Sequence, residues 1–136
     1  MAEQPTILTS REIHVKSLLD EAYEGRTYDL PTSIKLTQEA ILASQEFEDQ
    51  KLYTRALNQL ALFHMITGDY EESISLSEKA LTISEKANDL KGIADAKYNI
   101  ASVHYKSDNF HLGLEFLLEC LATYKLLGDY HNQARS

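Results

Sequence analysis

The stretch TGDYEESISLSEKAL, Thr67 to Leu81, decides the fold, because the chain writes it three times. Forty positions earlier stands TYDLPTSIKLTQEAI, and forty positions later SDNFHLGLEFLLECL. Asp29 pairs with Asp69, Ser33 with Ser73, Ile34 with Ile74, Leu36 with Leu76, Ala40 with Ala80 and Ser44 with Ser84. From the second copy to the third, Ala56 pairs with Ala96, Ala61 with Ala101, His64 with His104 and Leu81 with Leu121. The register needs no gaps, and a fixed period of this size is the mark of a stacked repeat.

Within each copy the apolar residues recur at helical spacing, as in Leu114, Leu117, Leu118 and Leu121. Each copy therefore reads as a pair of helices. Asp29, Asp69 and Asn109 fall where one helix ends and the next begins, and Asp49, Asp89 and Asp129 where the next copy starts. Short side-chain acceptors at those places are expected to cap exposed backbone N–H groups. Pro31 suits a first helical turn and Gly68 a left-handed helix terminus. Ala61 and Ala101 allow close approach within a pair, and Ala80 and Cys120 let a neighbour press on the second helix. One pair cannot bury its own apolar face, so each unit serves as the core of the next.

The stretch LALFHMITGDYEESISLSEKAL, Leu60 to Leu81, resembles the tetratricopeptide repeat. Leu60 and Ala61 hold the Leu-Gly/Ala positions, Tyr70 the second aromatic position and Ala80 the late alanine. The third copy resembles it through Ile100, Ala101, Phe110, Gly113, Cys120 and Leu121. The first copy does so in its second half, through Ser33, Ile34 and Ala40. Its first helix, near Arg11 to Glu24, has Asp20 and Glu21 where small and apolar residues belong, as in a shifted helix or an N-terminal cap. The resemblance implies an all-α, right-handed solenoid of stacked antiparallel helix pairs, about six to seven helices. One domain is expected over 1–136, with units at 10–48, 49–88 and 89–128 and the start of a truncated fourth at 129–136. The period exceeds the common 34-residue form. It is similar to long-repeat arrays of bacterial signalling proteins, which precede cyclase, diguanylate cyclase, histidine kinase or transcription-factor domains.

Composition narrows the function. The 136 residues, 43% hydrophobic and 25% charged, suit one soluble domain. A net charge of -8, with the 13 Lys and Arg scattered, disfavours nucleic acid and anionic membranes as partners. The opening MAEQPTILTS has neither a basic nor an apolar leader region, which makes the cytoplasm the expected compartment. Cys120 stands alone, so no disulfide or thiolate cluster is available, and apolar surroundings should raise its pKa.

No catalytic constellation emerges. His64 and His104 share a repeat position where an aromatic ring faces the helix pair, which favours packing over phosphoacceptor or metal chemistry. Ser73, Ser75, Ser77 and Ser84 lie inside a helix without a nucleophile elbow, and no phosphate-cradling glycine loop is present. The expectation is a protein that is no enzyme and has no cofactor or metal.

A binding surface remains. In tetratricopeptide stacks the first helices line the concave face. The outward positions are Arg55, Asn58, Gln59, Leu62, Met65 and Ile66 in the second copy. In the third they are Asp95, Tyr98, Asn99, Ser102, Tyr105 and Lys106. Aromatic and aliphatic area mixed with amides suits an extended or helical segment of another protein. Asn58 and Leu62 stand where a chaperone-tail carboxylate clamp would want Lys and Asn, which argues against such a tail although Asn99 matches one later Asn. The expected role is a protein- or peptide-binding sensory module of a cytoplasmic signalling protein; the alternative is a structural scaffold without an effector domain. HNQARS after Tyr130 reads as a cut fourth unit of a longer protein. That would leave Leu112, Leu114, Phe116, Leu117, Leu118 and Leu121 uncovered and predicts a homodimer through the C-terminal helices.

Overall fold

The computed structural model describes residues 8–135, with side chains as far as Asp129. Six helices follow one another: α1 Ser10–Gly25, α2 Leu30–Ser44, α3 Lys51–Thr67, α4 Tyr70–Ala87, α5 Leu90–Lys106 and α6 Phe110–Arg135. The described residues hold no strand. Short connections turn each helix back on the one before, so α1 packs on α2, α3 on α4 and α5 on α6. The pairs then stack, with α2 on α3 and α4 on α5, and the first helices α1, α3 and α5 touch in a row. The molecule is an all-α helical repeat.

The repeat is visible in how the helices end. Gly68 (φ 87°), Asn88 (φ 53°) and Asp108 (φ 62°) each take the left-handed conformation. The next residue's N–H reaches back to a carbonyl of the helix just left: Asp69 to His64 at 2.8 Å, Asp89 to Ser84 at 2.9 Å, Asn109 to His104 at 2.8 Å. Gly68 meets this requirement without a side-chain penalty, and Asn and Asp are the residues that best tolerate it otherwise. Asp29, Asp69 and Asp89 then accept N–H groups of Thr32, Glu72 and Gly92 at 3.2 to 3.4 Å, as expected for N-caps. Pro31 lies in the first turn of α2.

Three expected caps do not form. Asp49 bonds the N–H of Lys51 at 3.0 Å, but Gln50 holds the N-cap position of α3 and makes no side-chain cap bond. The longer 45–50 connection, with Phe47 against the core, moves the helix start one residue on. Asn109 precedes α6, and at this cap its backbone carbonyl, not its side chain, accepts, from Gly113 at 3.0 Å. Asp129 lies inside a helix: α6 passes through Gly128 and Asp129, where the sequence reading starts a fourth unit. The same Gly-Asp pair breaks the chain at 68–69. There α4 folds back on α3.

Two clusters form the core. Val15, Leu18 and Leu19 of α1 meet Ala40 of α2 and Ala56 of α3. Tyr53 and Leu57 of α3 meet Ala80 of α4 and Ala96 of α5, with Ile41, Leu76, Leu81 and Ile83 around them. The small residues act as spacers. The Ser73 hydroxyl donates to the Ala61 carbonyl at 2.7 Å, and a Cβ on Gly113 would stand 3.2 Å from the Ala101 carbonyl, so α4 and α6 run hard against their first helices. Cys120, fully buried, donates its thiol to the Ala94 carbonyl at 3.3 Å. Burial pushes that thiol above its usual pKa, the Asp95 carboxylate adds to the rise and Lys97 opposes it. Within α1 the buried positions are Val15, Leu18, Leu19, Ala22 and Gly25, while Asp20 and Glu21 are exposed, so the first helix is shifted against the repeat register.

Candidate interaction surface

The row of first helices forms a groove of about 630 Å³. Tyr23 of α1 stands at one wall, Lys51, Leu52, Arg55, Asn58, Gln59 and Leu62 of α3 form the floor, and Asp89, Lys91, Gly92, Asp95, Tyr98 and Asn99 belong to the α5 side. Of the positions expected on the concave face, Arg55, Asn58, Gln59, Leu62, Asp95, Tyr98 and Asn99 line it.

Met65, Ile66, Ser102, Tyr105 and Lys106 do not line it. The groove occupies the N-terminal part of α3 and α5, and these five sit on the last turns. Met65 is buried and Ile66 is exposed outside the groove. Ser102 turns its hydroxyl back to the Tyr98 carbonyl at 2.9 Å. Tyr105 packs toward α6, 5.9 Å from the Phe110 ring, and Lys106 is exposed at the end of α5.

The amides take a different role from the expected one. Gln59 donates to the Leu19 carbonyl at 3.0 Å and to the Thr37 hydroxyl at 3.2 Å. Asn99, its equivalent one unit on, donates to the Asn58 carbonyl at 2.9 Å, and Asn58 donates to the Gly92 carbonyl at 3.2 Å. The three side-chain N–H groups lace α1, α3 and α5 together rather than waiting for a ligand. Replacing Gln59 with Leu should lower stability by about 1 to 2 kcal/mol in urea denaturation, since each net hydrogen bond contributes about 1 kcal/mol. One atom is left over. Asn58 Oδ1 is buried and has no partner, and its orientation is fixed because turning the amide would set it against the Gly92 carbonyl. An unpaired buried acceptor costs about 1 to 3 kcal/mol.

Charge in the groove is balanced. Arg55 pairs with Asp20 of α1 at 2.6 Å, and Lys91 with Asp95 at 2.8 Å. Asp95 also accepts the Tyr124 hydroxyl from α6. Burial, then Asp95, pushes the Tyr124 phenol far above its ordinary pKa. The Arg26 guanidinium lies 3.7 Å over the Tyr23 ring. Tyr98 leaves half its surface to solvent. Sequence reasoning missed Tyr23, Lys51, Leu52, Asp89, Lys91 and Gly92. The shifted α1 hid the first, and the other five lie on the opening turn or cap of α3 and α5, ahead of the outward positions read from the repeat.

Of the two histidines that share a repeat position, one packs against a ring and the other lies beside a carboxylate. His104 stacks on Phe116 with centroids 5.8 Å apart, and His64 Nδ1 is 3.9 Å from Asp69, the cap of α4. No helix among the described residues is long and apolar enough to cross a membrane.

The helical-repeat architecture and the groove on its first helices place the chain in the class of α-helical repeat proteins. Residues 54–89 match the tetratricopeptide repeat family model, which covers most of α3 and all of α4 and supports a tetratricopeptide-type protein. That repeat is in general a non-enzymatic, protein-interaction fold. No curated protein and no solved structure matches the chain.

Proposed function

We propose that the chain is the interaction module of a cytoplasmic signalling protein, that it seats an extended segment of another protein in the α1–α3–α5 groove, and that it self-associates through its C-terminal helix. The signalling setting rests on the likeness of the long repeat to sensory arrays. The binding mode rests on the half-exposed Tyr98 ring, which lines the groove together with Tyr23 and Leu62. An extended segment fits such a groove, because its side chains can pack on Tyr23, Leu62 and Tyr98 while its backbone stays free to hydrogen-bond.

The test is a selection of binders from a displayed random peptide library on the intact chain. Tyr98→Ser, at a half-exposed position, should leave the fold unchanged and weaken the selected peptides about 10-fold or more by fluorescence anisotropy. Peptides that bind Tyr98→Ser and Leu62→Asp as tightly as the parent would rule the groove out. The scaffold reading, in which end surfaces assemble a complex, draws on the apolar residues that α6 exposes.

A further inference from the structure

The two ends of the stack differ in chemistry. The outward side of α1 carries Lys16, Ser17, Asp20, Glu21 and Glu24, all exposed, with Ile13 as the large apolar residue among them. A polar outer face is how a helical repeat ends against water. At the other end α6 exposes Phe110, Leu114, Leu118 and Leu121, each between 46% and 58%, with Leu117 and Tyr124 beside them. At 100° per residue these six fall within one stripe of roughly 120° on the helix.

In α2 and α4 that stripe is where the next first helix stacks; it keeps large residues at the Phe110, Leu114 and Leu121 positions (Leu30, Ile34 and Ile41; Tyr70, Ile74 and Leu81) but small ones at the Leu117 and Tyr124 positions. Thr37 of α2 receives the Gln59 amide of α3. Ser84 of α4 fills the space that a Cβ on Gly92 of α5 would enter, 2.2 Å from its hydroxyl oxygen. Ser44 and Ser77 are their counterparts, and all four are fully buried. In α6 the Thr37 and Ser77 position holds Leu117, and the Ser44 and Ser84 position holds Tyr124. Leu118 stands where Gln38 and Glu78 face water. A first helix could not approach α6 as closely as α3 approaches α2 or α5 approaches α4. The stripe is a wider apolar seam of the kind that pairs with another knobbed helix.

The seam is also nearly palindromic. Read from either end, Phe110, Leu114, Leu117, Leu118, Leu121 and Tyr124 keep almost the same spacing about its centre. A two-fold axis there sets Leu114 against Leu121 of a second molecule, Phe110 against Tyr124, and Leu117 and Leu118 against each other. This is the self-complementarity an isologous contact requires. The flanking glutamates have company within their own chain: Glu119 lies 3.5 Å from Lys97 and Glu115 lies 3.6 Å from His111. The polar face of α1 offers nothing to the same seam, so end-to-end stacking of copies is disfavoured.

We infer that a second copy of this chain covers α6, in an antiparallel α6–α6 interface centred on Leu117 and Leu118. The inference rests on the self-association part of the proposed function and is independent of the groove. Sedimentation equilibrium of the 136-residue chain from micromolar to millimolar concentration should show a monomer–dimer equilibrium. Leu118→Glu, at an exposed position, should weaken it roughly 30-fold or more with helicity unchanged. Orientation is read by disulfide trapping with Leu114→Cys and Leu121→Cys, the native Cys120 being buried. Mixing the two variants should give the mixed disulfide, while each alone crosslinks little. A monomer throughout, or an open-ended series of oligomers, overturns both the interface and self-association through α6. Efficient self-linking of each single variant, or a dimer that persists in Leu118→Glu, overturns this seam and its orientation while leaving self-association standing.

Discussion

Replacing Leu57 with alanine is expected to lower the unfolding free energy by about 2 to 5 kcal/mol, the range for deleting a fully packed aliphatic side chain. Leu57 is almost wholly buried in the cluster where Tyr53 of α3 meets Ala80 of α4 and Ala96 of α5, with Ile41 of α2 alongside. Its buried neighbours in the cluster, Tyr53, Ala80 and Ala96, belong to α3, α4 and α5, so the cavity cannot close by moving one side chain. The alanines at 80 and 96 are fully buried and too short to reach into it. The cost should therefore fall in the upper half of the range. Because Leu57 joins all three units, the loss should also appear as reduced cooperativity, with the urea transition broadening as the α5–α6 pair separates from the rest. Leu42→Ala, at an exposed position of α2, serves as the control and should change stability by about 0.5 kcal/mol or less. A Leu57→Ala variant within 1 kcal/mol or so of the parent would mean that this junction is not the core of the stack.

The same junction shows why so much of the fold was legible in the sequence. A period of forty identifies equivalent positions, and equivalent positions in a stack must meet equivalent neighbours. Ala40 and Ala80 could be read as spacers because the pattern repeats, and they are fully buried against the following first helix. Gly68 could be read as a left-handed terminus because no other residue type is so free at positive φ. What failed was whatever departs from the period. The capping box at the start of α1, with Thr9 accepting from Glu12 N–H and Glu12 accepting from Thr9 N–H, is a local signal that the repeat comparison passed over. Gly128-Asp129 repeats the residues of Gly68-Asp69, yet α6 continues through it, so the pair does not by itself dictate a turn.

The groove was half legible for a related reason. Helical spacing shows which residues of α3 and α5 point away from their pair, but it does not show how far along the helices the groove extends. The last turns lie beyond it, so Met65, Tyr105 and their neighbours drop out. Nor does spacing show which polar groups are already engaged. Gln59 and Asn99 look like free amides in the sequence, and their partners are carbonyls 40 and 41 positions away, on the preceding first helix. Only the structure separates Asn58 Oδ1 from them as the acceptor without a donor.

Gly92→Ala provides the second large effect and connects the core to the groove. A methyl group there would sit 2.2 Å from Ser84 Oγ and 2.7 Å from Asp89 Oδ2. Ser84 is fully buried, and Asp89 caps α5 by accepting the Gly92 N–H at 3.2 Å, so relief at either contact has a cost. Overpacking costs about 1 to 3 kcal/mol and loss of the cap about 1, against a gain of about 0.5 to 1 from replacing glycine in a helix. The net expectation is a loss of about 1 to 3 kcal/mol in urea denaturation, opposite to the sign that helix propensity predicts. Ser84→Ala supplies the internal check. Its hydroxyl has no partner, so removing it should be neutral or stabilising in the parent and should restore about 1 kcal/mol or more beyond that in the Gly92→Ala background. Additive single changes would mean that the two side chains do not collide. The Gly92 carbonyl also holds the Asn58 amide, so displacing the first turn of α5 should loosen the groove floor. Peptides selected on the parent chain should then lose affinity for Gly92→Ala and regain it when Ser84→Ala is added. The rescue of binding and of stability by the same distant substitution would place the acceptor of Asn58 and the packing of α4 on α5 in one mechanical unit.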